Sequence, residues 1–115
     1  MLAVGEHLLH DLGERCVRMT TGFGGGIGGT HEELCGAFSA GVMIIGALYG
    51  RVSPSEDDTR AYGLAKAYRQ RFSARWGCLN CGPIRDWAKS AAGPGSCAPV
   101  VAESARILLD LLDQA

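Results

Sequence analysis

Apolar residues recur along this chain at intervals of three and four, and no segment shows the two-residue alternation of a half-buried strand. The strongest element is an uncharged run over residues 34–50, in which Gly36, Ala37, Ala40 and Gly41 keep one side narrow enough for a second helix to approach. Thr30 and Glu33 stand at capping-box spacing just before it, which predicts that this helix begins at Thr30 and carries Cys35 near its first turn. Gly50 fits the C′ position that would end it. Upstream, Leu2, Leu8, Leu9, Leu12, Cys16 and Met19 predict a first helix over residues 2–19, with Cys16 as a core thiol and Gly5 and Gly13 as its weak points.

Downstream, Ser53 as N-cap, Pro54 at N1 and Glu56 at N3 predict a third helix. Tyr62, Ala65, Tyr68, Phe72 and Trp76 form its packing stripe, and Gly77 ends it. A short helix follows to about residue 90. After the break Ala92-Gly93-Pro94-Gly95 comes a last helix with Val101, Ala105, Leu108, Leu111 and Leu112 on its apolar face. The expectation is all-α: one domain over residues 1–115, a bundle of about five helices around the central small-residue and apolar helix.

Charge and composition narrow the function. A chain of 115 residues with net charge -1 has one core and no basic face for nucleic acid. Arg69, Arg71 and Arg75 read as a solvated helix face. The uncharged run is shorter than the ~20 residues that span a bilayer, so no membrane insertion is expected. Glu6, His7, His10 and Asp11 interrupt the N-terminus where an export signal needs an apolar core, which points to the cytoplasm. Five cysteines in that reducing setting suggest redox groups or metal ligands rather than structural staples.

The stretch GFGGGIGG places six glycines in eight positions. Gly24, Gly26 and Gly29 satisfy G-x-G-x-x-G, but the residues before them look helical, and Thr30-His31 stand where a P-loop needs lysine. The context argues against a nucleotide loop. These glycines instead allow positive φ and close passage beside other helices or a cofactor. His7 and His10 lie three apart beside Asp11, without a third ligand nearby.

The cysteines carry the candidate chemistry. Asn80-Cys81-Gly82-Pro83 and Ser96-Cys97-Ala98-Pro99 repeat one pattern of cap, cysteine, small residue and proline, each opening a helix. Cys81 and Cys97 then fall at N1, where free amides and the helix dipole lower a thiol pKa. Cys35 lies near the start of its own helix. Cys78 and Cys81 form C-x-x-C, which suits dithiol–disulfide chemistry or two ligands of one metal. Cys35 and Cys97 would complete a four-thiolate zinc or iron–sulfur site, with His31 in reserve.

Taken in order, GFGGGIG, Cys35-Gly36-Ala37, a small apolar helix ending in LYG, then Cys81 and Cys97 before a terminal amphipathic helix resemble the C-GCAxxG-C-C family, whose members are described as redox-active. The resemblance implies that Cys35 is the motif cysteine and that Cys81 and Cys97 are the two later ones. Ala40 stands at the motif's second glycine, with Gly41 one place later. The family's first cysteine would fall at about Met1 or before. A related module in split-Soret cytochromes implies electron transfer as one setting.

The leading expectation is a cytoplasmic helical redox protein in which Cys35, Cys81 and Cys97 converge and exchange disulfides with an unidentified redox partner. Cys81 is the expected nucleophile, Cys35 or Cys97 resolves, and Cys78 is a third choice. The alternatives are a metal or iron–sulfur electron-transfer module on Cys35, Cys78, Cys81 and Cys97, and an interaction domain that packs its small-residue face on a partner or a second copy.

Overall fold

The computed structural model describes residues 2–115, with side chains from Ala3 onward. Its described residues form six α-helices, one short 3-10 turn and an isolated β-bridge, so the all-α expectation holds. The helices are α1 (Leu2–Leu9), α2 (Glu14–Met19), α3 (Gly36–Tyr49), α4 (Thr59–Trp76), α5 (Cys81–Lys89) and α6 (Ala98–Asp113). Helices α3, α4 and α6 pack on one another, and α1 lies against α6.

The expected first helix is in fact two. His10 takes φ 65° and Gly13 φ 75°, and the Asp11 carboxylate accepts the Gly13 amide at 2.8 Å, so the chain turns between α1 and α2. The turn puts α2 out of phase with α1. No residue of α2 is buried, and Cys16 is exposed rather than a core thiol.

The N-cap of the central helix falls five residues later than expected. No capping box forms: the Thr30 hydroxyl points back to the carbonyls of Gly26 and Ile27, at 2.9 and 3.0 Å. The Glu33 amide donates to the Gly26 carbonyl instead. Cys35 is therefore the N-cap of α3, outside its first turn. Gly50 ends the helix in an extended conformation, φ -70° and ψ 161°, not as a left-handed C′ glycine.

The small-residue side of α3 does receive a neighbour. A Cβ on Gly41 would run into the ring of Tyr68, so glycine is what lets α4 seat its aromatic residues this close. Phe38, Tyr68 and Phe72 form the aromatic centre of the core, joined by Ile44, Ile45, Val100 and Leu108. Phe72 and Ile44 are 0% and 1% exposed, and burial on that scale is worth about 1.5–3 kcal/mol for each side chain.

Helix α4 also starts later than its serine signal. The Ser53 carbonyl accepts the Glu56 amide at 3.1 Å, and the Glu56 carboxylate accepts the Val52 amide at 2.7 Å, so this segment closes a turn of its own. Asp57 then receives the amide and hydroxyl of Thr59 at 3.0 and 2.6 Å, where the helix begins. Gly77 ends it in the left-handed conformation, φ 79°, as expected. Tyr68 and Phe72 are buried, whereas Tyr62 is exposed.

The start of α5 at Cys81 behind Asn80 agrees with the sequence. At α6 the N-cap is Cys97 rather than Ser96, whose hydroxyl accepts the Ala98 amide at 3.3 Å. The buried face of α6 is Val100, Ser104, Leu108 and Leu111, which leaves Val101 exposed.

Candidate functional site

Two backbone hydrogen bonds clasp the starts of α3 and α5 together. The Cys35 amide donates to the Leu79 carbonyl and the Cys81 amide to the Glu33 carbonyl, each at 2.8 Å, around the antiparallel bridge between Leu34 and Asn80. Both cysteines thus sit on the clasp itself. Cys78 lies between the left-handed turn at Gly77 and this bridge, and its thiol faces the Asn80 carbonyl at 3.9 Å. Cys97, at the head of α6, packs against the same core as Cys35 and Cys78. All five cysteines are free thiols.

The glycine-rich stretch lies over Cys81. Residues 25–29 take φ values of 61°, 69°, 67°, 63° and 70°, a left-handed turn that L residues adopt only at a cost of roughly 1–2 kcal/mol each. Its amides are turned inward: Gly28 donates to Gly22, Gly29 to Gly24 and His31 to Gly25. The glycines therefore serve close packing rather than anion binding. Gly26 is buried, and a Cβ there would lie 2.6 Å from the Cβ of Cys81. Ile27, a β-branched residue at φ 67°, holds the most strained position of the turn.

Burial decides the acidity of the inner thiols. It pushes Cys35 up from the ordinary 9.0; the amides of Ala37 and Phe38 pull it down, and the nearby charges of Cys97 and Cys78 push it up again. For Cys81, burial acts first and the charges of Cys35 and Cys97 second, all upward, with Arg85 opposing and Asp86 adding. Cys81 is 8% exposed. The expectation of a lowered pKa at Cys81 is overturned, because desolvation exceeds the benefit of the helix start. Cys35 and Cys81 are joined through the clasp, and Cys35, Cys78 and Cys97 pack against one core.

Sequence reasoning missed one polar neighbour. Tyr68, expected only as packing, donates its hydroxyl to the Ala37 carbonyl at 3.3 Å and stacks on Phe38, ring centroids 5.5 Å apart. Burial and the charge of Cys35 push its phenol up. Its place in the aromatic stripe gave no sign of this contact.

Cys16 is exposed on α2 and is not among the thiols whose charge reaches Cys35 or Cys81. The place of the family's first cysteine, at about Met1, lies outside the described residues. Among the described residues no three His, Cys, Asp or Glu side chains are grouped as metal ligands are. Among the described residues no helix is long and apolar enough to cross a membrane.

Searches among curated proteins and among solved structures find no match. A family model described as "Putative redox-active protein (C_GCAxxG_C_C)" matches residues 1–111. Its coverage of nearly the whole chain agrees with the order of glycine turn, motif cysteine and two later cysteines, and the chain belongs to the C_GCAxxG_C_C family.

Proposed function

We propose that this protein exchanges thiols and disulfides with a partner disulfide through Cys35, Cys81 and Cys97. The observation that carries this reading is the clasp of α3 on α5, which holds Cys35 and Cys81 on adjacent strands of backbone, with Cys35 and Cys97 packed against the same core. Cys97 is half-buried at a helix start, whereas Cys81 lies beneath Gly26. That difference assigns the first attack to Cys97 rather than to Cys81.

The Cys97 thiolate attacks one sulfur of the partner disulfide, whose other sulfur leaves as a thiolate and takes a proton from water. Cys35 loses its proton and attacks the Cys97 sulfur of the mixed disulfide. The second partner thiol is released and a Cys35–Cys97 bond remains. The partner gains two electrons and two protons; this chain loses both. Cys81, tied to the Cys35 segment by the clasp and slow to ionise, accepts the bond in an internal exchange, with Cys78 as the remaining thiol. A cytoplasmic setting, which keeps exposed thiols reduced, belongs to the same proposal.

The test is stopped-flow reaction of the reduced protein with a small-molecule disulfide, followed by mass spectrometry. Wild type should form an internal disulfide that a dithiol reverses. Cys35→Ser should stall with the reagent attached to Cys97, and Cys97→Ser should lose the fast phase. Absence of both a fast thiol and a reversible disulfide defeats the proposal.

A further inference from the structure

An unbroken ladder of aromatic rings leads away from the thiol cluster. Tyr68, Phe72 and Trp76 lie at i, i+4 and i+8 on α4, so they share one face of the helix. Ring centroids are 6.1 Å apart from Tyr68 to Phe72 and 6.4 Å from Phe72 to Trp76. Trp76 then meets Trp87 of α5 at 5.7 Å. The ladder begins at the head of α3, where Tyr68 bonds the carbonyl two residues beyond Cys35, and it ends at Trp87, which is 41% exposed. Packing alone accounts for Tyr68 and Phe72, which are buried. It does not require both tryptophans of the chain to stand in contact with one of them at the surface.

Tryptophan and tyrosine are the aromatic side chains that give up an electron most readily; phenylalanine is not oxidised in their range. Tyr68 and Trp76 are eight helical residues apart, a rise of about 12 Å, and Phe72 fills the gap between them. The Arg75 guanidinium lies 4.0 Å over the Trp76 ring, and the Glu103 carboxylate, 2.6 Å from Arg75, balances its charge. Trp76 is thus not held under uncompensated positive charge. Its indole N–H donates to Ser104 at 3.3 Å.

We propose that Tyr68, Trp76 and Trp87 form a one-electron relay that connects Cys35 with radical oxidants at the surface. A radical oxidant takes one electron from Trp87 and is itself reduced. Trp76 refills Trp87, and Tyr68 refills Trp76 as its hydroxyl proton is released to water, the Ala37 carbonyl only orienting the hydroxyl. Cys35 then gives an electron and its thiol proton to Tyr68, which restores the phenol, and the thiol becomes a thiyl radical. The relay residues end as they began; the oxidant has gained one electron and Cys35 has lost one electron and one proton. The relay relies on Cys35 being the redox thiol of the proposed function.

The test uses azide radical, generated by pulse radiolysis, on the reduced full chain, with the tryptophanyl absorption followed in time. In wild type the tryptophan radical should decay by a step whose rate does not depend on protein concentration. Trp76→Phe keeps a ring in the core and should lengthen that lifetime by roughly an order of magnitude, as should Cys35→Ser. Equal lifetimes in wild type and both variants overturn the relay. Its failure is separable from failure of disulfide exchange, because the exchange is read without any radical, by mass, and does not involve Trp76.

Discussion

Gly26 and Cys81 meet backbone to side chain: a Cβ added at residue 26 would come within 2.6 Å of the Cys81 Cβ. The left-handed turn is thereby a cover over the innermost thiol, and its glycines are what allow it to close. Gly26→Ala combines this clash with a residue forced to φ 69°. We expect a loss of about 1–3 kcal/mol in urea unfolding, the range for a strained backbone site. Cys81 should also become labelled by iodoacetamide faster than in wild type. An unchanged labelling rate would mean that the turn does not shield it.

A pair of glycine substitutions separates packing from helix propensity. Gly41→Ala drives a methyl group into the Tyr68 ring and should destabilise by about 1–3 kcal/mol, the cost of overpacking. Gly63, exposed in the middle of α4, has open space where its Cβ would be. Gly63→Ala should stabilise by about 0.5–1 kcal/mol. Thermal unfolding of the two variants should shift in opposite directions.

The raised thiols fix a pH dependence. Cys35 and Cys81 both lie above 9.0 in the folded state, so their neutral forms contribute stability that is whole below pH 9.0 and fades as pH climbs through the raised values. Alkylation of these two cysteines should still be accelerating above pH 9.0. A plateau near neutral pH would contradict burial as the dominant effect.

Cys16 should behave as a bystander. Being exposed, it should react with a thiol reagent in native protein, and Cys16→Ser should leave the yield of internal disulfide unchanged. A halved yield in peptide mapping would bring Cys16 into the chemistry.

The parts of the chain whose signals act locally were legible. Asn80 takes the extended backbone of an N-cap before Cys81, and Gly77 turns left-handed with its amide closing on the Ser73 carbonyl, so both stand where the sequence puts them. Thr30, Glu33 and Ser53 misled for the opposite reason: their hydrogen bonds were taken up by turns, the glycine turn in one case and Ser53's own in the other. His10 at φ 65° broke a helix at a residue with no outward sign of doing so. At the site, the placing of Cys35, Cys81 and Cys97 at helix starts was legible from cap and small-residue patterns. The acidity of Cys35 and Cys81 was not, since their burial depends on the core and, for Cys81, on Gly26, far from either cysteine in pattern. Tyr68's bond to Ala37 crosses 31 positions and leaves no local trace.

The proposal that Cys35, Cys78, Cys81 and Cys97 act as one thiol group is most directly tested by mild oxidation of dilute protein, acid quenching and peptide mapping of the bonds formed. Internal disulfides drawn only from Cys35, Cys78, Cys81 and Cys97, and reversed by dithiol, are predicted. Bonds that join separate chains through Cys16, with the other four cysteines still reduced, would contradict it.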